Sequence, residues 1–104
     1  MSQAIAINVD SSSEMVLVSG ELTFTTVNSV LNEIGRLVGS SFELKIDLSD
    51  VTRSDSAGLA LLVHWMRAAK QAKKQLVFHH IPAQMLAIAS ASGLDELLPV
   101  PSNQ

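Results

Sequence analysis

The sequence contains no cysteine, and only 16% of its residues are charged. The missing cysteines exclude disulfide bonds and thiolate metal sites, and they fit a reducing compartment. The formal net charge of −3 at pH 7 argues against nucleic acid as a main partner. A chain of 104 residues has room for one hydrophobic core, and 47% of these residues are hydrophobic. We therefore expect one domain over residues 1–104, with the last few residues as a flexible tail.

Long hydrophobic runs are also missing. The first ten residues, MSQAIAINVD, lack the basic start and apolar centre of a secretory signal. Apolar runs such as residues 59–63 fall far short of the roughly 20 residues that a membrane-spanning helix needs. We expect a cytoplasmic domain that reaches a membrane only through its partners.

Hydrophobic periodicity predicts alternating strands and helices. Apolar residues at period two predict strands at 4–9, 15–19, 44–48 and 76–79. Helical spacing predicts helices at about 25–38, 56–74 and 82–93. Thr23 or Thr25 suits the first helix cap, and Gly39 and Gly93 suit two helix ends. Residues 97–100 suit a short last strand, which Pro99 would confine to a sheet edge.

The resulting ββαβαβα order predicts an α/β fold with a mixed sheet of four to five strands packed by helices. The short turn at residues 10–14 predicts an antiparallel hairpin for the first two strands. Strands joined through helices must cross over, so the remaining strands run parallel.

The stretch SDSAGLALLVHWM, residues 54–66, carries the strongest functional signal. A strand is expected to end near Ser49, and a short polar loop then leads into the helix. Ser54, Asp55 and Ser56 are all good helix caps, and the charge of Asp55 suits the positive end of the helix dipole. Gly58 lets another backbone segment come close.

Helical spacing divides the side chains of this helix between two faces. Leu59, Leu62 and Met66 should face the sheet, because they lie on one side of the helical wheel. The opposite side begins with small residues, flanked by Leu61 as a semi-exposed anchor. Trp65 lies at the boundary of the wheel and is either a second anchor or a core residue. The candidate partner-binding residues are Ser56, Ala57, Ala60, Leu61, His64, Trp65 and Arg67.

Ser56 has three possible roles: a nucleophile, a helix cap, or part of a partner surface. A nucleophile needs a nearby base, and His64 lies about 12 Å further along the same helix. No G-x-S-x-G elbow is present. We therefore expect no catalytic residue and keep the cap and the partner surface as alternatives. A phosphate on Ser56 is possible, and the nearby Asp50 and Asp55 would repel it.

Metal and nucleotide sites have little support in the sequence. His79 and His80 are adjacent in a strand, so their side chains point to opposite faces and do not readily share one ion. The chain has no P-loop or other glycine-rich phosphate cradle. We expect no cofactor and no metal.

The chain resembles the STAS domain family, the fold of anti-sigma-factor antagonists. The signature residues are Asp47 and Leu48 at a strand end, then DSAGL at residues 55–59. SGEL at residues 19–22 and ASGLDELLPV at 91–100 match two further landmarks of the family. Thr23 departs from the pattern, because many STAS proteins have Asp after GEL. Residues 55–71 are most similar to the stand-alone STAS subunits of Mla-type phospholipid ABC transporters.

The resemblance implies a non-catalytic subunit at the inner face of the inner membrane. Such a subunit binds the ABC-transporter ATPase, with its permease in the complex, and supports the assembly or activity that maintains outer-membrane lipid asymmetry. Ser56 and its helix are the implied contact surface. The alternative is an anti-sigma-factor antagonist whose Ser56 is phosphorylated by an anti-sigma kinase.

Overall fold

A computed structural model of the protein describes residues 5–10, 15–31, 33 and 43–101. The strands are β1 (Ala6–Asp10), β2 (Met15–Leu22), β3 (Glu43–Ser54) and β4 (Gln75–His79). The α-helices described from end to end are α1 (Ser56–Gln71) and α2 (Ala83–Ala91), and Glu33 also has α-helical backbone. Short 3-10 helices lie at Val27–Val30 and Asp95–Leu97.

The four strands form one mixed sheet in the order β1-β2-β3-β4. β1 pairs with β2 antiparallel, as the hairpin prediction required. β2 pairs with β3, and β3 with β4, in parallel, so the connections between them cross over. The predicted α/β fold with a mixed sheet is confirmed.

One face of this sheet carries the hydrophobic core. Alternate residues of the three parallel strands are buried, because side chains alternate between the two faces of a strand. These buried residues are Val16, Val18, Leu22, Leu44, Ile46, Leu48, Leu76 and Phe78. Leu59, Leu62 and Ala69 of α1 and Met85 and Ala89 of α2 belong to the same cluster. Both helices therefore pack on this face, and β2 and β3 end beside the start of α1.

β2 and β3 are longer than the sequence pattern predicts. β3 was expected to end near Ser49, with a polar loop behind it, but the strand continues to Ser54. Its polar second half stays in the sheet because it pairs with β2 as far as the Leu22–Ser54 pair. The register shifts twice along this pairing, and Gly20 has a φ of 92° at the second shift. The second half of β3 has no hydrophobic alternation, and its pairing with β2, which continues past both register shifts, keeps it in the sheet.

The first predicted helix is described only at its start. Residues 23–26 form turns before the 3-10 helix Val27–Val30, and its N-cap is Thr26 rather than Thr23 or Thr25. The side chain of Thr26 makes no cap hydrogen bond to that helix. The remainder of the prediction, including Ile34, Leu37 and the stop at Gly39, lies outside the described residues, as do the turn at 11–14 and the tail at 102–104.

The optional last strand at residues 97–100 does not form within the described residues, where a 3-10 helix ends at Leu97 and residues 98–100 form no strand. Pro99 makes one backbone contact with the edge strand, since the Phe78 amide donates to its carbonyl oxygen at 2.8 Å. Proline has no amide proton, so it cannot continue a regular ladder with β4.

The burial of α1 corrects one prediction. Leu61 is predicted to be a semi-exposed anchor and Trp65 either an anchor or a core residue, but both residues are only 1% exposed. A single sheet contact would bury one side of a helix, whereas α1 also contacts the 3-10 helix Val27–Val30 and α2. Contacts on sides other than the sheet can thus bury residues at the boundary of the helical wheel. Leu61 and Trp65 do not project from the surface as anchors.

Both α-helices end in the same hydrogen-bonding pattern. At the end of α2, the Gly93 amide donates to the Ser90 carbonyl oxygen at 3.1 Å, and the Leu94 amide donates to the Ala89 carbonyl oxygen at 2.8 Å. Gly93 has a φ of 72°, as its predicted role as a helix stop requires. α1 ends earlier than predicted, at Gln71, and Lys73 takes the corresponding left-handed position with a φ of 59°.

Candidate functional site

The carboxylate of Asp55 organises the start of α1. Asp55 is the N-cap residue, and its Oδ1 accepts a hydrogen bond from the Ala57 amide at 2.9 Å. Its Oδ2 accepts from the Phe24 amide at 3.2 Å. The Asp55 amide in turn donates to the Leu22 carbonyl oxygen at 3.2 Å. One residue therefore ties the turn after β2 to the first turn of α1.

The turn after β2 is held by threonine side chains. Thr26 Oγ1 accepts from the Thr23 amide at 3.0 Å and lies 2.6 Å from the Glu21 carbonyl oxygen, to which it donates. Thr23 and Thr26 are both buried. Phe24 lies between them, and its side chain is 80% exposed. The turn thus holds a large aromatic side chain out of the core, next to the start of α1.

Gly58 sits where α1 passes the end of β2. A Cβ atom at this position would lie 2.5 Å from the Leu22 carbonyl oxygen and 3.0 Å from the Leu22 Cβ. The same Cβ would lie 3.2 Å from Cε of Met85 in α2. Only glycine fits at this distance without a shift of the surrounding backbone. The close approach inferred from the sequence is present.

Ser56 is the first residue of α1, and its side chain is exposed. Ala60, His64 and Arg67 are exposed on the same stripe of the helix, and Ala57 beside them is half-buried. We call these five residues, Ser56, Ala57, Ala60, His64 and Arg67, the Ser56 face. The structure brings them together at the surface and buries the other two candidates, Leu61 and Trp65.

A shallow depression of about 240 Å³ lies beside the Ser56 face. It runs between the first turns of α1 and the segment that follows β2. Its lining residues are Phe24, Val27, Asn28, Leu31, Ala57, Ala60 and Leu61. None of these side chains is charged. Leu61, although buried from bulk solvent, thus lies at the wall of this depression.

Ser54 does not cap α1, contrary to the sequence interpretation. It is the last residue of β3 and is buried, and its amide donates to Oε1 of Gln84 at 3.2 Å. Its hydroxyl has no hydrogen-bond partner in the structure. Asp55 occupies the cap position, and the pairing of Ser54 with Leu22 keeps Ser54 in the sheet.

A second polar group lies where the end of β4 meets the middle of β3. His80 Nδ1 is 3.1 Å from Oδ1 of Asp47, and the Ser49 amide donates to the same oxygen at 2.9 Å. Burial would raise the pKa of the Asp47 carboxyl, but the hydrogen bonds from Ser49 and His80 outweigh it and hold the pKa below its ordinary value. His80 has a left-handed backbone with a φ of 59°.

Among the described residues, neither the contacts of Asp55 nor the Asp47–His80 pair bring a histidine to Ser56. Within the described part of the chain, no histidine hydrogen-bonds to Ser56, and His64 is two turns further along α1. The His79 and His80 ring centroids are 6.3 Å apart. No cluster of three or more His, Asp or Glu side chains that could hold a metal ion occurs in residues 5–10, 15–31, 33 and 43–101.

A family model described as "Mlab, STAS domain" matches residues 5–99. The chain belongs to the STAS domain family. STAS domains generally mediate protein–protein contacts and are generally not catalytic. No curated protein matches the chain. In the part of this STAS domain that the structure describes, no helix has the length and apolar character to cross a membrane.

Solved structures of other STAS proteins share the fold. An anti-sigma factor antagonist from Mycobacterium paratuberculosis is 25% identical, with a TM-score of 0.70 over 97% of this chain and 86% of that chain. The phosphorylated Bacillus cell fate determinant SpoIIAA is 18% identical, with a TM-score of 0.66 over 95% and 92%. The murine Solute Carrier 26 family member A9 anion transporter is 16% identical, with a TM-score of 0.63 over 91% of this chain and 19% of that chain.

The sequence reasoning missed Phe24. Sequence periodicity does not distinguish an exposed aromatic residue from a buried one, because exposure depends on how the turn packs. The available signal was a single aromatic residue inside the polar stretch TFTT at residues 23–26. This STAS domain therefore presents the Ser56 face and Phe24 side by side.

Proposed function

We propose that this STAS domain is a non-catalytic subunit that binds the ATPase of an Mla-type phospholipid-transport ABC system through the Ser56 face. Its role is to support assembly or activity of the transporter, and so to maintain outer-membrane lipid asymmetry. The protein is cytoplasmic and reaches the inner face of the inner membrane through the ATPase and its permease.

The observation that carries this proposal is the exposed hydroxyl of Ser56 on a rigidly capped helix. Asp55 fixes the helix start with two hydrogen bonds, and Ala57 and Ala60 leave space for another protein to approach. A preorganised surface loses little conformational entropy on binding. The local resemblance of residues 55–71 and the name of the matching family model point to the transporter branch of the family.

Co-purification tests this proposal. The tagged protein is expressed in its native host, membranes are solubilised in mild detergent, and bound proteins are identified by mass spectrometry. We expect peptides of an ABC ATPase and its permease in stoichiometric amounts. Recovery of neither, from cells that express both, would refute the transporter role.

An anti-sigma-factor antagonist is the second candidate function. It is favoured by the 25% identity to the Mycobacterium paratuberculosis antagonist and by the exposure of Ser56 to a kinase. In this reading a phosphate on Ser56 controls binding to an anti-sigma kinase. Intact-mass measurement of native protein across growth conditions separates the two candidate functions. A phospho-switch requires a phosphorylated form in at least one condition.

A further inference from the structure

Phe24 is the most exposed of the large hydrophobic side chains in the described chain, at 80%. An exposed aromatic ring offers apolar area that a partner can bury with a gain in free energy. The turn holds the Phe24 backbone in place. The Asp55 carboxylate accepts a hydrogen bond from the Phe24 amide, and the buried Thr23 and Thr26 lie on either side of Phe24 in the chain. The fold thus holds one aromatic ring in solvent at the edge of the Ser56 face.

The depression next to Phe24 favours a helical occupant. Its walls are apolar, apart from the amide side chain of Asn28, and offer few groups that could pair with an exposed backbone. An extended segment placed there would leave its own amides and carbonyls without partners. A helix satisfies these groups internally and presents only side chains to the depression.

The charges along α1 indicate which helix would fit. α1 contains no Asp or Glu, and its exposed cationic side chains, Arg67 and Lys70, lie in its second half. Acidic side chains on a partner would therefore be attracted to this half and not to the uncharged depression. Acidic residues are also most favourable in the first turn of a helix, near the positive end of its dipole.

We propose that the depression and Phe24 receive an amphipathic helix of the ATPase subunit, lying antiparallel to α1. One apolar side chain of this helix packs between Phe24 and Ala60, and acidic residues of its first turn lie beside Arg67. The span from Ala57 to Arg67 along α1 is about 15 Å, which is nearly three turns of a helix. Phe24 is then a specificity-determining anchor, and the inference rests on the proposed function.

Truncation of Phe24 tests the apolar half of the contact. Phe24→Ala should lower the affinity for the ATPase by about tenfold or more, as loss of an aromatic anchor does, and Phe24→Leu should retain most of the affinity. Val9→Ala is the matched control, because Val9 is 56% exposed and pairs with Val16 near the opposite end of β2. Unchanged melting temperatures show that each variant is folded.

The charge of Arg67 tests the acidic half. Arg67→Glu should weaken recovery of the ATPase, and Arg67→Lys should not. Wild-type binding should fall as sodium chloride rises, and this dependence should be smaller in Arg67→Glu, since screened ion pairs cause it. A salt dependence that is the same in both proteins would overturn the assignment of acidic residues to this position.

Photo-crosslinking identifies the occupant directly. A benzophenone amino acid at position 24 should crosslink to a helix of the ATPase that carries acidic residues at its N-terminal end, and the same probe at position 9 should not. A crosslink to a second copy of this chain, to the permease or to an extended segment would overturn the proposal. So would undiminished binding by Phe24→Ala.

The two proposals fail in different ways. If Ser56→Glu abolishes recovery of the ATPase while Phe24→Ala does not affect it, the helix site is wrong and the proposed function stands. If the wild-type protein recovers no ATPase at all, the proposed function itself is wrong.

Discussion

Gly58 of α1 lies so close to Leu22 of β2 that a Cβ atom on Gly58 would stand 2.5 Å from the Leu22 carbonyl oxygen. Gly58→Ala should therefore destabilise the fold by about 1–3 kcal/mol through overpacking. Helix propensity alone would predict the opposite, since alanine is favoured over glycine by about 1 kcal/mol. Urea denaturation at 25 °C measures the difference.

The exposed position Ala60 provides the control for Gly58. Ala60→Ser should change the free energy of unfolding by no more than about 0.5 kcal/mol. A Gly58→Ala variant that is as stable as the wild type, or more stable, would mean that α1 does not approach β2 this closely.

Replacing Lys73 with glycine should raise the stability of the protein, whereas Gly58→Ala should lower it. Its φ of 59° is left-handed, and the Lys73 and Lys74 amides donate to the Lys70 and Ala69 carbonyl oxygens as in a glycine-terminated helix. Lys73→Gly should therefore stabilise the protein by about 0.5–1 kcal/mol, because glycine adopts this conformation without a Cβ penalty. Lys70→Gly, inside the last turn of α1, should instead cost about 1 kcal/mol. A loss of stability in both variants would contradict the left-handed helix end.

The Asp47–His80 pair predicts a pH dependence of stability. The folded pKa of Asp47 is held below its ordinary value of 3.8, so the ionised form is the one that folding favours. Its contribution is therefore fully present above the ordinary pKa and is lost as pH falls through the folded pKa. The difference in unfolding free energy between the wild type and Asp47→Asn should be constant at neutral pH and should shrink below about pH 4.

Removing the imidazole of His80 tests whether His80 helps to lower the pKa of Asp47. His80→Gly deletes one hydrogen bond to Asp47 and tolerates the left-handed backbone at position 80. NMR titration of the Asp47 carboxyl should then give a pKa closer to the ordinary value. An unchanged pKa would assign the shift to Ser49, whose amide and side chain both hydrogen-bond to Asp47.

Trp65 is the single tryptophan, so it reports on the interior of the protein. It is 1% exposed, and its Nε1 has no hydrogen-bond partner in the structure. Its fluorescence should be blue-shifted, resistant to iodide quenching, and red-shifted on unfolding. Binding of a partner at the Ser56 face should leave the emission maximum unchanged. Strong iodide quenching of the folded protein would contradict the burial of Trp65.

Local chemistry explains which features the sequence predicts. The alternation of Val16 and Val18 in β2, and of Leu44 and Ile46 in β3, is visible because one face of the sheet is buried. The cap at Asp55 is predictable because its hydrogen bond to Ala57 spans only two residues. In both cases the deciding interaction lies within a few residues or follows a fixed period.

Tertiary neighbours explain what the sequence does not predict. A helical wheel assumes one buried side, and α1 has neighbours on further sides. The wheel therefore misplaces Leu61 and leaves Trp65 undecided between core and surface. The local sequence predicts Ser54 as a cap, because its pairing with Leu22 in the sheet is a long-range contact. The turn that carries Phe24 is held by the hydrogen bond from its amide to Asp55, 31 residues away. In each case the deciding contact is with a residue that is distant in the chain.

The Ser56 face is separable from the core, which allows binding to be changed without unfolding. Ser56→Glu places a charge on an exposed side chain, and Ala57→Arg places a bulky cation at the wall of the depression. Both variants should keep the circular dichroism spectrum and the Trp65 emission of the wild type. Both should lower recovery of the ATPase by about tenfold or more, because a misplaced charge at an interface is costly to bury. Ser90→Glu, at an exposed position of α2, serves as the charge-matched control. Undiminished recovery with a folded Ala57→Arg would remove the Ser56 face from the interface.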